Sequence, residues 1–232
     1  MGFMFILVLC LAGVFCLAPL AIYFLWLAFV TRRERPTVIA GQWDFVGLVA
    51  GLSGFVLFGG GLVLSLFQSN FRYWMRGNFE SLRAAWGQEK VTWILLALLY
   101  LLMVIGWIAM ALLARRRSLV VYNVEPSAFE ATLAEVFEQM NRPIERRGNR
   151  WSSGIPLCEL DRFVGGRTVT LRWVAEDRLL FQDVERLLRE AIRSVATDEN
   201  PATRWLMASS IGAGLSAVSC FGVLVYALSL IK

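Results

Sequence analysis

Two carboxylates in the second half of the chain have a spacing that acid–base chemistry could use. Glu159 and Asp161 alternate along a predicted strand with only Leu160 between them, so their side chains share one face. Paired acids on one face could act as general acid and general base on a lipid substrate. The sequence places no pocket beside them, so an enzyme acting on lipid is the weakest of the functional hypotheses considered below.

The chain contains no histidine, the residue type on which much acid–base and metal chemistry relies. The segment Gly51-Leu52-Ser53-Gly54 resembles the G-x-S-G nucleophile motif of rhomboid intramembrane proteases. That family pairs its serine with a histidine on a later membrane helix, which removes the serine proton. Because this partner is missing, Ser53 is interpreted as a helix-packing residue. We predict no catalytic residue and expect a protein that is not an enzyme.

Cysteines and glycine-rich turns give no indication of a bound metal or cofactor. None of the four cysteines belongs to a C-x-x-C pair, and three lie in apolar segments. They are Cys10, Cys16, Cys158 and Cys220. The Gly165-Gly166-Arg167 segment lacks the strand-to-helix context of a phosphate loop and is predicted to form a hairpin turn. We therefore expect neither a metal ligand nor a cofactor-binding residue.

An arginine-rich run in the second half of the chain offers positive charge to a partner. It consists of Arg142, Arg146, Arg147 and Arg150. These side chains could meet lipid phosphates or an acidic partner. The favoured interpretation is a solvated hairpin whose charge is offset by the neighbouring Glu145.

Composition places the chain among membrane proteins. Of its 232 residues 57% are hydrophobic and 18% charged, and the mean hydropathy is +0.59. The net charge of +5 does not come from residues 115–203, where fourteen arginines meet fourteen acidic residues. The excess lies in short segments beside apolar runs, where it reports orientation and contact with anionic lipid. Nucleic acid is excluded as a partner, because its binding needs a concentrated basic face.

Four apolar segments are long enough to cross a hydrocarbon core of ~30 Å. We predict transmembrane helices over about 3–30, 44–67 and 91–114 within residues 1–117, and a fourth within 201–232. Small residues at helical spacing predict close helix packing. The candidates are Gly47, Gly51, Gly54, Ala208, Gly212 and Ser216.

The polar stretch between the second and third apolar segments has an amphipathic pattern. Apolar residues at helical spacing predict an interfacial helix over about 70–87. Its membrane anchors are Phe71, Trp74, Phe79 and Trp86. The alternative is an ordered loop packed on neighbouring helices.

Residues 118–200 have the pattern of a small soluble domain inserted into this membrane protein. The predicted order is β-α-β-β-β-α, with one further strand if the hairpins are counted separately. The first helix is predicted to start at a Ser127 cap, with Glu130 in capping-box position. Such an order favours an α+β domain, in which two helices cover one face of an antiparallel sheet and leave the other face available.

Basic triplets beside the apolar segments predict the orientation of the chain. Arg32, Arg33 and Arg35 follow the first segment, and Arg115, Arg116 and Arg117 follow the third. With four transmembrane helices both triplets fall on one side, which the positive-inside rule makes cytoplasmic. We expect a multi-pass protein of the cell membrane with its soluble domain in the cytoplasm and both termini outside.

The leading functional hypothesis is an interaction or scaffold subunit of a membrane assembly, with a cytoplasmic docking domain. Its expected partners are the lipid bilayer and either another membrane protein or a second copy of the chain. The alternative is a lipid-handling or transporter-like membrane protein that uses the interfacial helix and a groove between transmembrane helices.

Overall fold

The structure of the chain is a computed structural model that describes residues 2–67, 79–195, 197 and 200–229. For 2–5, 62–67 and 79–89 it describes the backbone alone. In chain order the first elements are α1 (Gly2–Thr31), β1 (Thr37–Ala40), α2 (Gly41–Phe67), α3 (Phe79–Ala114), β2 (Ser118–Tyr122) and α4 (Pro126–Gln139). They are followed by β3 (Glu145–Arg147), β4 (Arg150–Ser153), β5 (Ile155–Phe163), a 3₁₀ turn (Val164–Gly166), β6 (Thr168–Trp173), α5 (Arg178–Ile192) and α6 (Ala202–Ser229).

Four helices are apolar over a length that could cross a membrane, as predicted. The apolar stretches are Ile6–Thr31 in α1, Gly41–Gly61 in α2, Lys90–Ala114 in α3 and Ala202–Ser229 in α6. Pro19 lies inside α1 without ending it. The pattern of long apolar runs in the sequence was therefore a reliable guide to these helices.

The predicted interfacial helix falls mostly outside the described residues, which omit 68–78 with Phe71 and Trp74. Phe79 and Trp86 lie on α3, where only the backbone is described. From Phe79 onward the helix continues without a break to Ala114, so the expected end near residue 87 is not present. Gly87 costs a helix only about 1 kcal/mol relative to alanine, which does not end one whose neighbours favour it.

The chain forms two compact units. The apolar unit contains Met1–Phe24, Leu48–Met110 and Ser209–Lys232, whereas the sheet unit contains Leu25–Gly47 and Ala111–Ala208. The sheet unit is therefore larger than the predicted domain at 118–200. It also includes the ends of the apolar helices and the segment that connects the first two of them.

All strands of the sheet unit form one antiparallel sheet in the order β1-β2-β6-β5-β4-β3. The predicted antiparallel sheet is confirmed, and the strands after α4 follow the longer of the two predicted orders. Strand β1 was not predicted, and it pairs with β2 through Val38 opposite Val121. At four residues this strand was too short to stand out between two apolar helices.

Helices α4 and α5 contribute to a hydrophobic core with one face of the sheet. The core side chains include Phe129 and Leu133 of α4, Leu188 of α5, and Leu160 and Leu171 of the sheet. Each is fully buried, and such burial stabilises the fold by about 1.5–3 kcal/mol per side chain. The core therefore fixes the positions of the sheet and both helices.

The opposite face of the sheet is not uniformly open, which corrects the prediction. Val120 and Tyr122 of β2 pack against Val30 at the end of α1, with Leu27 and Ile39 beside them. Strand β2 is therefore buried on both faces, which explains its run of apolar residues without alternation.

The start of α4 also differs from the prediction. Pro126 occupies its first turn and Glu125 is the N-cap residue, without a side-chain cap hydrogen bond. Proline suits this place because its missing N–H would have had no acceptor within the helix. Ser127 therefore does not cap α4, and Glu130 is left for another role.

Candidate functional site

The acidic pair at Glu159 and Asp161 lies on β5, on the face of the sheet opposite α4 and α5. Glu159 stands opposite Arg172 of β6 and accepts a hydrogen bond of 2.7 Å from Arg150 of β4. Glu159 therefore belongs to a charged cross-strand row with Arg150 and Arg172 on the sheet surface, whereas Asp161 stands opposite Thr170.

Ser53 lies on α2 and donates a hydrogen bond of 2.8 Å to the carbonyl of Ala50, one turn earlier. The Ser53 hydroxyl therefore already has an acceptor within its own helix.

Among the described residues, no three histidine, cysteine, aspartate or glutamate side chains are grouped to hold a metal ion. Cys158 lies in the core of the sheet unit, where burial raises the pKa of its thiol to about 12.

The small residues of α2 lie against α1 within the apolar unit. A Cβ added at Gly51 would come within 2.7 Å of the Tyr23 side chain, and one at Gly54 would meet the backbone of Phe15. Both glycines are buried, whereas Gly47 is half-buried. The backbone of α2 therefore approaches α1 where a larger side chain would not fit.

The small residues predicted on α6 lie elsewhere. Ala208, Gly212 and Ser216 are exposed, and Gly212 has open space around it. The contact with α1 uses a neighbouring face, where Ser210 donates a hydrogen bond of 2.9 Å to the Ala21 carbonyl. The predicted packing role of these three residues stays a prediction, and it would now require a helix from a second chain as the partner.

The two arginine triplets both belong to the sheet unit. Arg115 lies over the Phe45 ring at 4.6 Å, and Arg117 donates to the Ala175 carbonyl at 3.2 Å. Arg116 is exposed, as are Arg32, Arg33 and Arg35 in the loop after α1. The first triplet therefore presents its side chains to the surroundings, whereas two members of the second are held by the domain.

Polar contacts fix the loop after α1 to the sheet. Asn123 follows β2 in the left-handed region at φ 59°, and its amide donates to the Arg33 carbonyl. Thr197 donates to the Glu34 carbonyl at 2.9 Å. At the sheet edge Arg189 of α5 donates to the Val38 carbonyl at 2.9 Å. None of these hydrogen bonds was predicted, although Asn123 could have been noticed as a residue that tolerates positive φ.

At the other edge of the sheet, the end of α4 directs the chain into β3. Asn141 takes φ 53°, and its N–H donates to the Glu138 carbonyl at 2.9 Å. The N–H of Arg142 donates to the Phe137 carbonyl at 3.1 Å, which completes a Schellman motif. Pro143 then prevents the helix from continuing. Strand β3 follows as the last strand of the sheet, and among the described residues no strand pairs with its other side.

A single carboxylate of α4 holds this edge. Glu130 pairs with Arg146 of β3 at 2.6 Å and with Arg162 of β5 at 2.8 Å. The Glu130 side chain is only 13% exposed, so water screens the two ion pairs weakly. Glu130, which the sequence pattern had assigned to a helix cap, therefore links α4 to β3 and β5.

A cavity of about 550 Å³ lies between the end of α4 and the β3–β4 hairpin. Its lining includes Glu138, Arg142, Ile144, Arg146 and Trp151. Trp151 is 4% exposed, and its indole N–H has no acceptor among the described residues. Because this nitrogen has almost no solvent-accessible surface, the other lining residues form the open part of the cavity.

The arginine run is mostly paired within the sheet unit. Arg146 contacts Glu130, Arg150 contacts Glu159, and Arg147 lies 3.4 Å from Glu145 with both side chains exposed. The predicted offset by Glu145 is thus only one of three such pairs. Arg142 lines the cavity and is exposed, so its guanidinium can bind an oxygen acceptor there.

Comparisons of the chain with models of protein families, with curated proteins and with solved structures found no match.

Proposed function

We propose that this chain is a multi-pass protein of the cell membrane that acts as an interaction or scaffold subunit, with its sheet unit as a cytoplasmic docking domain. The observation that carries the proposal is the β3 edge with its adjoining cavity, where the Arg142 side chain is exposed. An extended segment of a partner protein that lies along β3 can place an oxygen acceptor beside Arg142.

Exposed apolar side chains support insertion into a membrane. Leu102 and Met110 of α3 and Val218 of α6 are exposed along helices of membrane length. Water contact would cost about 25 cal/mol for each Å² of apolar surface, and a lipid environment removes that cost. No histidine, lysine, arginine, aspartate or glutamate lies within the apolar stretches away from their ends, apart from Asp44 near the start of α2. A pump or proton relay is therefore disfavoured.

The arginine triplets support a cytoplasmic sheet unit. Both belong to the sheet unit, so they fall on one side if the apolar helices cross the membrane. The positive-inside rule then directs that side to the cytoplasm. An even number of crossings leaves both termini outside.

Strand addition at β3 explains how the sheet unit would bind a partner. The outward side of an edge strand offers main-chain donors and acceptors that an extended segment can pair with. Neighbouring side chains then provide selectivity. Arg142 favours a segment that places a carboxylate or carbonyl in the cavity, whereas Glu138 opposes excess negative charge.

Two arginines provide a matched test of this site. Arg142 and Arg178 are both exposed, but only Arg142 lines the cavity. Glutamine at either position removes one positive charge and its guanidinium donors. We expect Arg142→Gln to weaken partner binding about three- to tenfold, the value of one hydrogen bond, and Arg178→Gln to leave it unchanged.

The measurement is purification of the full chain from native membranes in mild detergent, followed by quantification of each co-purified protein in both variants. A stoichiometric partner that Arg142→Gln loses and Arg178→Gln retains supports the site. A clean monomer, or equal partner loss in the two variants, contradicts it. A second copy of the chain as the retained partner would make the assembly a homo-oligomer.

A further inference from the structure

The loop after α1 and the residue after α5 line an open groove of about 880 Å³ in the sheet unit. Its lining includes four arginines and one carboxylate together with an aromatic ring at one end. These residues are Phe29, Arg32, Arg33, Glu34, Arg35 and Arg193. Within the part of the chain that the structure describes, the groove therefore carries a clear excess of positive charge.

We propose that this groove binds the phosphate of one anionic phospholipid, whose acyl chain lies along Phe29. Guanidinium groups present a rigid fork of donors that matches two oxygens of a phosphate. The four arginine side chains are exposed, so a ligand can reach them. Glu34 makes the site selective, because it disfavours headgroups that carry several negative charges.

The loop that carries three of these arginines is fixed from behind. Its Arg33 and Glu34 carbonyls accept hydrogen bonds from Asn123 and Thr197 of the sheet unit. Thr31, just before the loop, is buried and accepts a hydrogen bond of 3.1 Å from Thr203. Because the backbone is held by these contacts, less conformational freedom is lost when a phosphate binds.

A lipid, rather than a soluble phosphate compound, suits the position of the groove. Phe29 belongs to the apolar stretch Ile6–Thr31 and is 54% exposed, so a hydrocarbon chain can cover it. Arg32 follows within one turn of the helix, where a headgroup at the membrane surface would lie. The proposal rests on membrane insertion of α1 but not on a docking partner at β3.

The test is a titration of the detergent-purified full chain with phosphatidylglycerol and with phosphatidylcholine, followed by native mass spectrometry. We expect one phosphatidylglycerol per chain to bind saturably, and phosphatidylcholine to bind at least about tenfold more weakly, a difference of about 1.4 kcal/mol. Inorganic phosphate should fail to displace the bound lipid. Equal binding of the two lipids, or displacement by phosphate at the same concentration, would overturn the assignment.

Matched double variants separate the groove from general surface charge. Arg33→Gln with Arg193→Gln removes two charges from the groove, and Arg116→Gln with Arg178→Gln removes two exposed charges elsewhere in the sheet unit. We expect the first pair to weaken phosphatidylglycerol binding about tenfold or more, and the second to change it less than twofold. Equal losses in the two variants would overturn the proposal.

A third variant keeps the positive charge of the groove, so that a loss of binding by the glutamine variant through misfolding can be recognised. Arg33→Lys with Arg193→Lys keeps both charges but removes the guanidinium forks, and we expect an intermediate loss of affinity. Unchanged affinity in this variant would contradict recognition by the arginine geometry. Resistance of the protein to alkaline extraction from vesicles reports membrane insertion separately, so a failed groove and a failed membrane assignment give different results.

Discussion

Replacing Glu130 by glutamine tests whether one carboxylate holds the β3 edge to α4. The substitution keeps the size of the side chain and removes the charge that pairs with Arg146 and Arg162. Loss of a fully buried ion-pair partner costs about 3–5 kcal/mol, and loss of an exposed one about 0–1 kcal/mol. Glu130 is 13% exposed, and its arginine partners are 27% and 44% exposed. The pairs lie between these two cases, so we expect the substitution to lower the free energy of opening the β3 edge by about 2 kcal/mol.

Hydrogen exchange measures this loss where it should occur. If β3 opens locally, a loss of about 2 kcal/mol accelerates amide exchange in the β3–β4 hairpin about 30-fold. Amides of β2 and β6 in the sheet centre should change much less. The control is Glu145→Gln, because Glu145 lies 3.4 Å from Arg147 and both side chains are exposed. We expect that variant to change exchange less than about threefold.

Glu130 does not hold the β3 edge if amides of the Glu130→Gln hairpin exchange within about threefold of those in the unmodified chain, or no faster than in the Glu145→Gln control. Should Glu130→Gln not fold, Arg146→Gln removes only one of the two ion pairs and gives a milder form of the test. Its exchange should lie between those of the unmodified chain and of a fully released hairpin.

Three further predictions concern other parts of the chain. Gly54→Ala should lower the thermal stability of the detergent-solubilised protein, because its Cβ would meet the Phe15 backbone, whereas Gly59→Ala, with open space around it, should not. The Cys158 thiol should resist alkylation in the folded protein and react after unfolding. Its pKa rises from 9.0 to about 12 on folding. The free energy of unfolding should therefore not depend on this thiol below pH 9.0 and should decline as the pH rises from 9.0 toward 12. Asn123→Ala should increase proteolysis at the loop after α1, since the Arg33 carbonyl loses its donor and a non-glycine residue at φ 59° loses the side chain that suits it.

The sequence predicted those parts of the fold that depend on local periodicity. Long apolar runs identified the four helices, and apolar stripes with turn residues identified the strands of the two hairpins. Gly148 illustrates why this works, because its φ of 64° is a local requirement of the tight turn in which it lies. Such features depend on neighbours along the chain and can therefore be recognised from sequence alone.

Features that depend on distant contacts were missed or misassigned. Glu130 matched a capping pattern, yet its partners come from β3 and β5, which no local spacing reveals. In α6 the contact with α1 uses Ser210, which was not predicted, and the packing role of Ala208, Gly212 and Ser216 stays a prediction. The cavity beside β3 likewise arises where three separate elements meet. Helical spacing predicts which residues share a face and does not specify which face another element covers.

Strand β1 changes how the sheet unit must be regarded. Residues 118–200 look like an insertion that could be excised, but β2 at their start is paired with β1 and covered by Val30 of α1. Excision would expose Val120 and Tyr122 and leave β2 as an unpaired apolar edge, which favours aggregation. The segment between the first two apolar helices therefore completes the fold of the unit. The same segment carries the arginines of the groove, so the fold of the domain and its proposed attachment to lipid depend on one connection.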